Sequence, residues 1–129
     1  MKKILLSLAV LTMFGACQES MEDRAARDAQ ETTQKRCPLR VTDDGSLILE
    51  RITFDKATHV WCMHYLLDAD EEQLEKLNLR EVLLKDLKNS PSYKPYMDNG
   101  FSFEYVYRDM KSPKDTLVHV MLTQKDYGN

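Results

Sequence analysis

The stretch Phe101-Ser102-Phe103-Glu104-Tyr105-Val106 alternates large apolar side chains with other residues. This pattern is typical of a β-strand with one buried face. The segment Leu117–Thr123 alternates in the same way after the polar turn Asp109–Asp115. Pairing Arg108 with Asp115 makes a hairpin whose buried face carries Phe101, Phe103, Tyr105, Val118, Val120 and Leu122. The opposite face is expected to be wet and to carry Ser102, Glu104, Arg108, His119 and Met121.

Leucines at helical spacing precede this hairpin and predict an amphipathic helix. The acidic run 68–72 ends the preceding strand and starts the helix, where the helix dipole favours negative charge, and the helix ends at Asn89-Ser90-Pro91. Asn78, with Glu81 three residues later, resembles a second N-cap at which the helix restarts. The apolar stripe comprises Leu74, Leu77, Leu83, Leu84 and Leu87.

Two further runs, Leu47–Phe54 and Thr58–Leu67, are rich in β-branched and aromatic residues and predict another hairpin. Pairing Phe54 with Thr58 sets its register, and Leu39–Thr42 supplies a short additional strand. The predicted fold class is α+β: an antiparallel sheet of four to five strands in the order β-β-β-α-β-β, with one helix packed on one face.

The first residues of the chain have the features of a secretory signal peptide: Lys2 and Lys3, the apolar run 4–14 and two small residues. The run is shorter than the roughly 20 apolar residues that span a bilayer. Cys17 follows Gly15-Ala16 directly, and this arrangement resembles the lipobox of bacterial lipoproteins. The resemblance implies cleavage before Cys17, acylation of its thiol and a lipid anchor in the outer membrane. An ordinary secreted protein with an incidental Cys17 is the alternative.

The predicted organisation is a signal peptide over 1–16, a lipidated cysteine and flexible tether over 17–36, and a small α+β domain over 37–129. Residues 18–36 hold no aromatic and almost no large aliphatic residue, a composition that disfavours ordered structure. The early acidic residues of this segment resemble the surface-export signal of Bacteroides-type lipoproteins, although a solvated linker explains them equally well. The Cys37-Pro38 opening and the Tyr105–Asp109 strand are similar to small uncharacterised lipoproteins of the same bacteria, which implies no known activity.

Charge restricts the classes of partner. The chain carries 18 basic and 21 acidic residues, and removal of Lys2 and Lys3 with the signal peptide leaves a net charge of −5. An acidic surface argues against nucleic acid and anionic headgroups. The expected partners are the membrane, through the N-terminal lipid, and an unidentified envelope or secreted protein or glycan.

The sequence offers little for catalysis. It has no CxxC pair, Cys/His cluster or glycine-rich phosphate loop, so no metal, no cofactor and no enzymatic activity are expected. Cys37 and Cys62 could form a disulfide in an exported protein. In a simple meander they lie two strands apart, too far to be bridged, and a bridge requires the first segment to cross to the far side.

One feature predicts a binding surface. Both faces of the hairpin formed by Leu47–Phe54 and Thr58–Leu67 are apolar, and a single helix covers only one of them. Trp61, Met63 and Tyr65 lie on the same face and are the predicted binding residues, since Trp and Tyr commonly anchor interfaces. Alternatively, the tyrosine-rich loop at Tyr93–Met97 or the first strand folds over them.

Two functional hypotheses follow. The first is a cell-envelope lipoprotein with a small non-enzymatic binding domain. The second is an inhibitor or immunity protein directed at a secreted protease, lysozyme or toxin. A loop at Pro91–Gly100 that becomes ordered only in a complex would favour the second hypothesis, and a flat aromatic face would favour the first.

Overall fold

A computed structural model describes residues 19–128 of the chain. These residues form five helices and five strands. In chain order they are α1 (Met21–Arg36), β1 (Leu39–Arg40), β2 (Leu47–Asp55), β3 (Val60–Leu67), α2 (Glu71–Lys76), α3 (Leu79–Lys88), α4 (Lys94–Asp98), β4 (Ser102–Asp109), β5 (Thr116–Leu122) and α5 (Gln124–Tyr127).

The strands form one sheet in the order β1-β2-β3-β4-β5. The α+β class is therefore confirmed, with one correction: β3 and β4 are parallel, while the other three pairs are antiparallel. The connection from β3 to β4 contains α2, α3 and α4, and it returns the chain to the end of the sheet where β3 began. A parallel pair needs such a crossover, whereas the antiparallel pairs are joined by short turns.

The β4–β5 hairpin buries the predicted face. Phe101, Phe103 and Leu122 are almost completely buried, Tyr105 and Val120 are buried, and Val118 is half-buried. The register differs by two residues, because Phe103 faces Leu122 rather than Val120. A shift by an even number leaves each side chain on its predicted face, so the face is right although the register is not.

The register of the β2–β3 hairpin differs from the predicted register by three residues. Phe54 faces Trp61, because the loop extends to His59, whose φ of 58° is left-handed. An odd shift exchanges the faces of one strand relative to the other. Trp61 and Met63 consequently lie on the same face as Ile52 and Phe54, beneath the helices. A β-bulge at Glu50 keeps Leu49 on that face as well.

Helix α1 occupies most of the segment predicted to be a tether, and that prediction is wrong for residues 21–36. Its N-cap Ser20 accepts a hydrogen bond from the Asp23 amide at 3.1 Å. Ala25 and Ala29 are buried in the core cluster. Alanine is too small to give a strong hydrophobic signal, but it allows a helix to approach a sheet closely, and this explains why the composition was misleading.

The leucine helix is interrupted as the sequence predicts, with Asn78 as the N-cap of α3. Leu83 and Leu87 are buried, whereas Leu77 lies at the break and is 57% exposed, contrary to the predicted stripe. Over residues 19–128, none of the helices combines the length and the apolar character that a membrane crossing requires.

Candidate interaction surface

Within residues 19–128, the aromatic core and the helices that bury side chains in it lie on one face of the sheet, and none of these helices covers the other face. We call the uncovered side the open face. Strand pairing brings its side chains together in rows: Thr53, Cys62, Glu104 and Met121 form one row. Arg51, His64, Val106 and His119 form the next row. Glu104, Arg108, His119 and Met121 were predicted to share this face, and the structure confirms it.

Glu104 lies near the centre of the open face. Its Oε2 is 2.5 Å from Nε2 of His119 on the neighbouring strand. The hydrogen bond to His119 lowers the pKa of the Glu104 carboxyl, and the adjacent Cys62 contributes in the same direction. The carboxylate is therefore ionised at neutral pH and is held in place by the imidazole.

Cys62 is buried in the floor of the open face. Burial, followed by the neighbouring Glu104 carboxylate, raises the pKa of its thiol to about 12. The reactive form of cysteine is the thiolate, which is scarce at neutral pH when the pKa is so high. Cys62 therefore lacks the activation that a nucleophile requires, and it contributes a small apolar surface instead.

His64 shares the open face with His119. Its Nε2 lies 3.2 Å from the Thr53 hydroxyl. Burial lowers the pKa of His64, and the nearby Arg51 and Arg108 guanidinium groups lower it further. The imidazole is thus neutral at physiological pH.

An arginine–carboxylate network borders the open face. Glu50, displaced by the bulge in β2, accepts from Nη2 of Arg108 at 2.5 Å and from Nη1 of Arg51 at 2.7 Å. The bulge directs this carboxylate toward both arginines, so the network depends on a local irregularity that strand alternation does not reveal.

A hollow of about 590 Å³ lies on the open face toward the β2–β3 loop. Its floor includes Val60, Cys62 and Met121, and its rim includes Asp55 and Lys56. An apolar floor with charged and hydrogen-bonding groups around it is the usual composition of a protein-binding surface.

The predicted binding residues Trp61, Met63 and Tyr65 do not form an exposed patch. Trp61 and Met63 are 3% and 4% exposed. The Trp61 ring stacks on Tyr96 at a centroid distance of 5.2 Å and meets the edge of Tyr93 at 5.6 Å. The alternative, cover by the tyrosine-rich segment, is the arrangement observed, and only Tyr65 remains partly exposed.

Two of the three cysteines lie within the described residues. Cys17 lies outside the described residues. Cys37 and Cys62 are both free thiols, so the possible disulfide is not formed. Across residues 19–128, no group of three or more His, Cys, Asp and Glu side chains is arranged to hold a metal ion.

The predicted register of the last hairpin, with Arg108 opposite Asp115, sets Glu104 directly opposite His119, but in the structure Glu104 faces Met121. The predicted register of the β2–β3 hairpin, with Phe54 opposite Thr58, sets Cys62 opposite Glu50, but Cys62 lies between Thr53 and Glu104. The sequence signal for the open face was alternation along the strands of the last hairpin, which places Glu104 and Met121 on the side opposite its buried residues. Alternation fixes the face but not the register, so the direct pairing predicted for Glu104 and His119 becomes a diagonal contact in the structure.

Solved structures share this fold. A Pseudomonas aeruginosa protein inferred to be secreted superposes with a TM-score of 0.64 at 10% identity, over 85% of this chain and 99% of that one. The type II secretion system pilotin EpsS of Vibrio vulnificus gives a TM-score of 0.60 at 15% identity, over 82% and 90% of the two chains. The corresponding pilotin AspS of Vibrio cholerae gives 0.57 at 15% identity, over 81% and 90%.

These identities are low, and the likeness therefore concerns the fold. None of the curated proteins matches the sequence. A family model described as a domain of unknown function matches residues 20–118, which include α1 and the sheet as far as β5. By this match the chain belongs to the DUF8479 family.

Proposed function

We propose that this protein is a lipid-anchored component of the bacterial cell envelope whose α+β domain binds another envelope protein through the open face. The fold that it shares with two secretion-system pilotins over more than four-fifths of the chain is the main support. The signal peptide and the cysteine that follows it supply the export and the anchor.

The geometry of the open face supports binding rather than catalysis at this site. Cys62 has a raised pKa, His64 is neutral and engaged with Thr53, and Glu104 is engaged with His119. The Cys62 thiol is held protonated, and the Glu104 carboxylate and the two imidazoles are held by hydrogen bonds to neighbouring side chains. The face instead offers a rigid polar network around an apolar floor.

The inhibitor hypothesis receives less support. A loop at Pro91–Gly100 that became ordered only in a complex would have favoured it. In the structure this segment contains α4, and its Tyr96 is buried against Trp61 and hydrogen-bonds to Asp28. A segment held by the core in this way is not available for insertion.

A lipid on Cys17 would hold the domain close to the membrane. Only residues 18–20 separate Cys17 from the first residue of α1, and an extended chain spans at most about 14 Å over these four steps. The partner is therefore expected to lie at the membrane as well.

Photo-crosslinking in the native bacterium tests this proposal. A crosslinking side chain replaces Thr53, exposed on the open face, or Lys85, exposed on α3 as the matched control. We expect a discrete protein adduct from position 53 and none from position 85. Three signals should be lost in Cys17→Ala and retained in Cys37→Ala: the adduct, recovery of the protein in the membrane fraction, and its fatty-acid labelling. Equal adducts at both positions, or undiminished labelling of Cys17→Ala, would contradict the proposal.

A further inference from the structure

The two long edges of the sheet differ in how far other elements cover them. The β2 edge is covered, because β1 pairs with one part of it and α1 lies along another. The β5 edge pairs with β4 on one side only. Unpaired edges attract other strands, and proteins usually protect them. The open β5 edge therefore needs an explanation.

The direction of the β5 backbone groups follows from one contact. Nη1 of Arg80 on α3 donates to the Met121 carbonyl at 3.1 Å, so this carbonyl points away from β4. In an antiparallel ladder the outward direction recurs at every second residue. The N–H and C=O of His119 must therefore also point outward, and no contact within residues 19–128 engages them.

A small hollow adjoins this edge on the helix side. Its volume is about 200 Å³, and it is lined by Glu71, Leu74 and Glu75 of α2 with Leu117 and Val118 of β5. Glu71 and Glu75 are exposed, and neither forms an ion pair with another residue of the described chain. Like charges four residues apart destabilise a helix, and a cation placed between them would relieve the repulsion.

We propose that β5 binds an extended segment of a partner protein by strand addition, with a lysine or arginine of that segment in the hollow beside α2. Strand addition is the binding mode that satisfies outward N–H and C=O groups on a sheet edge. The aliphatic part of the basic side chain packs on Leu74 and Leu117, while its charge lies between the two glutamates. The inference rests on the proposed function in taking the partner to be a protein.

The edge is short, which restricts what it accepts. A β-bulge opposite Arg108 interrupts the ladder at one end, and Arg80 occupies the Met121 carbonyl at the other. About four residues of β5 remain between these two limits. The geometry selects a short extended segment with the correct charge and disfavours long strands, which protects the protein against indiscriminate aggregation.

The probe is a capped heptapeptide of alternating threonine and valine with a central lysine. It is titrated into the isotopically labelled full chain in detergent micelles, and binding is followed by amide NMR. We expect saturable shifts and slowed hydrogen exchange at the His119 amide. The same peptide methylated on alternate backbone nitrogens, or with glutamate in place of lysine, is expected to bind at least about tenfold more weakly.

Paired variants separate the backbone from the side chains. His119→Pro removes the outward N–H and should abolish peptide binding, whereas His119→Ala keeps that N–H and should retain it. Glu71→Lys with Glu75→Lys should weaken binding roughly tenfold, while Glu72→Lys, on the same helix but not lining the hollow, should leave it unchanged.

The methylated peptide decides the question on the native chain if His119→Pro fails to fold. No saturable binding of the lysine peptide, or equal binding of its methylated form, would overturn the inference. Failure here is distinguishable from failure of the proposed function, because a crosslink from position 53 that persisted in the Glu71→Lys/Glu75→Lys variant, whose substitutions lie off the open face, would keep the envelope partner and remove only strand addition.

Discussion

The hydroxyl of Thr33 binds both backbone groups of Ile52: it accepts from the Ile52 N–H at 2.9 Å and donates to its carbonyl at 3.0 Å. One side chain of α1 thereby occupies the place that a neighbouring strand would take on the β2 edge. The helix is thus joined to the sheet by specific hydrogen bonds as well as by the packing of Ala25 and Ala29.

Thr33→Val removes this hydroxyl with little change in shape. We expect it to lower the free energy of unfolding by about 1–3 kcal/mol, since two backbone groups lose their partner in a partly buried position. Thr32→Val is the matched control and should change stability little. Urea unfolding of both variants provides the measurement, and equal midpoints would show that α1 does not depend on this contact.

Phe103→Ala should be among the most destabilising substitutions in the domain. Phe103 is completely buried and contacts Tyr93 and Tyr127 edge-to-face. Deleting a buried phenyl ring costs about 3–5 kcal/mol, a large part of the stability of a small domain. Ser102→Ala, on the opposite face, should cost little. A Phe103→Ala protein with a wild-type urea midpoint would contradict the assignment of the core.

Cys62 should react slowly with thiol reagents. A pKa of about 12 leaves roughly a thousandfold less thiolate at pH 8 than an ordinary cysteine has. Alkylation at pH 8, quantified by peptide mass spectrometry, should be at least about a hundredfold slower in the native protein than in urea. Because burial is the larger cause of the shift, Glu104→Gln should restore only a small part of the rate. Equal native and denatured rates would refute this account.

His64 should make stability depend on pH. Its pKa is lowered in the folded protein, so the unfolded chain binds more protons as the pH falls through its ordinary value of about 6.5. Stability should therefore decline on acidification from pH 7.5 to 5.5. His64→Gln should show a smaller decline, because it lacks that titration. Parallel pH dependences in the two proteins would exclude His64 as the source.

The sequence predicted faces better than registers. Alternation in 101–106 placed Phe103 and Glu104 on opposite faces correctly, because alternation depends only on the strand period. The β2–β3 register failed because the turn closes through His59 in a left-handed conformation, for which Gly or Asn would have been the recognisable signal. That odd shift also moved Trp61 from a predicted binding surface into the core.

Helix α1 and the open-face network were harder to predict from the sequence than the strand faces. Nothing in the composition of 21–36 shows that two alanines and one threonine suffice to join a helix to a sheet edge. The contact between Glu50 and Arg108 spans 58 positions and depends on a bulge, so it arises only once the tertiary fold exists. The parallel pairing was equally invisible, because a long connection is compatible with either direction.

The parallel pairing of β3 with β4 also bears on how quickly the domain can form. Each hairpin joins neighbours along the chain, but the centre of the sheet joins Val60 to Ser102 across the whole helical crossover. Closing so long a loop costs entropy before its contacts compensate, and non-local pairings of this kind slow folding. The two hairpins are therefore expected to form early and the centre of the sheet late. During that interval the adjoining edges of β3 and β4 stay unpaired, and the partly folded chain would be most vulnerable to misassociation then.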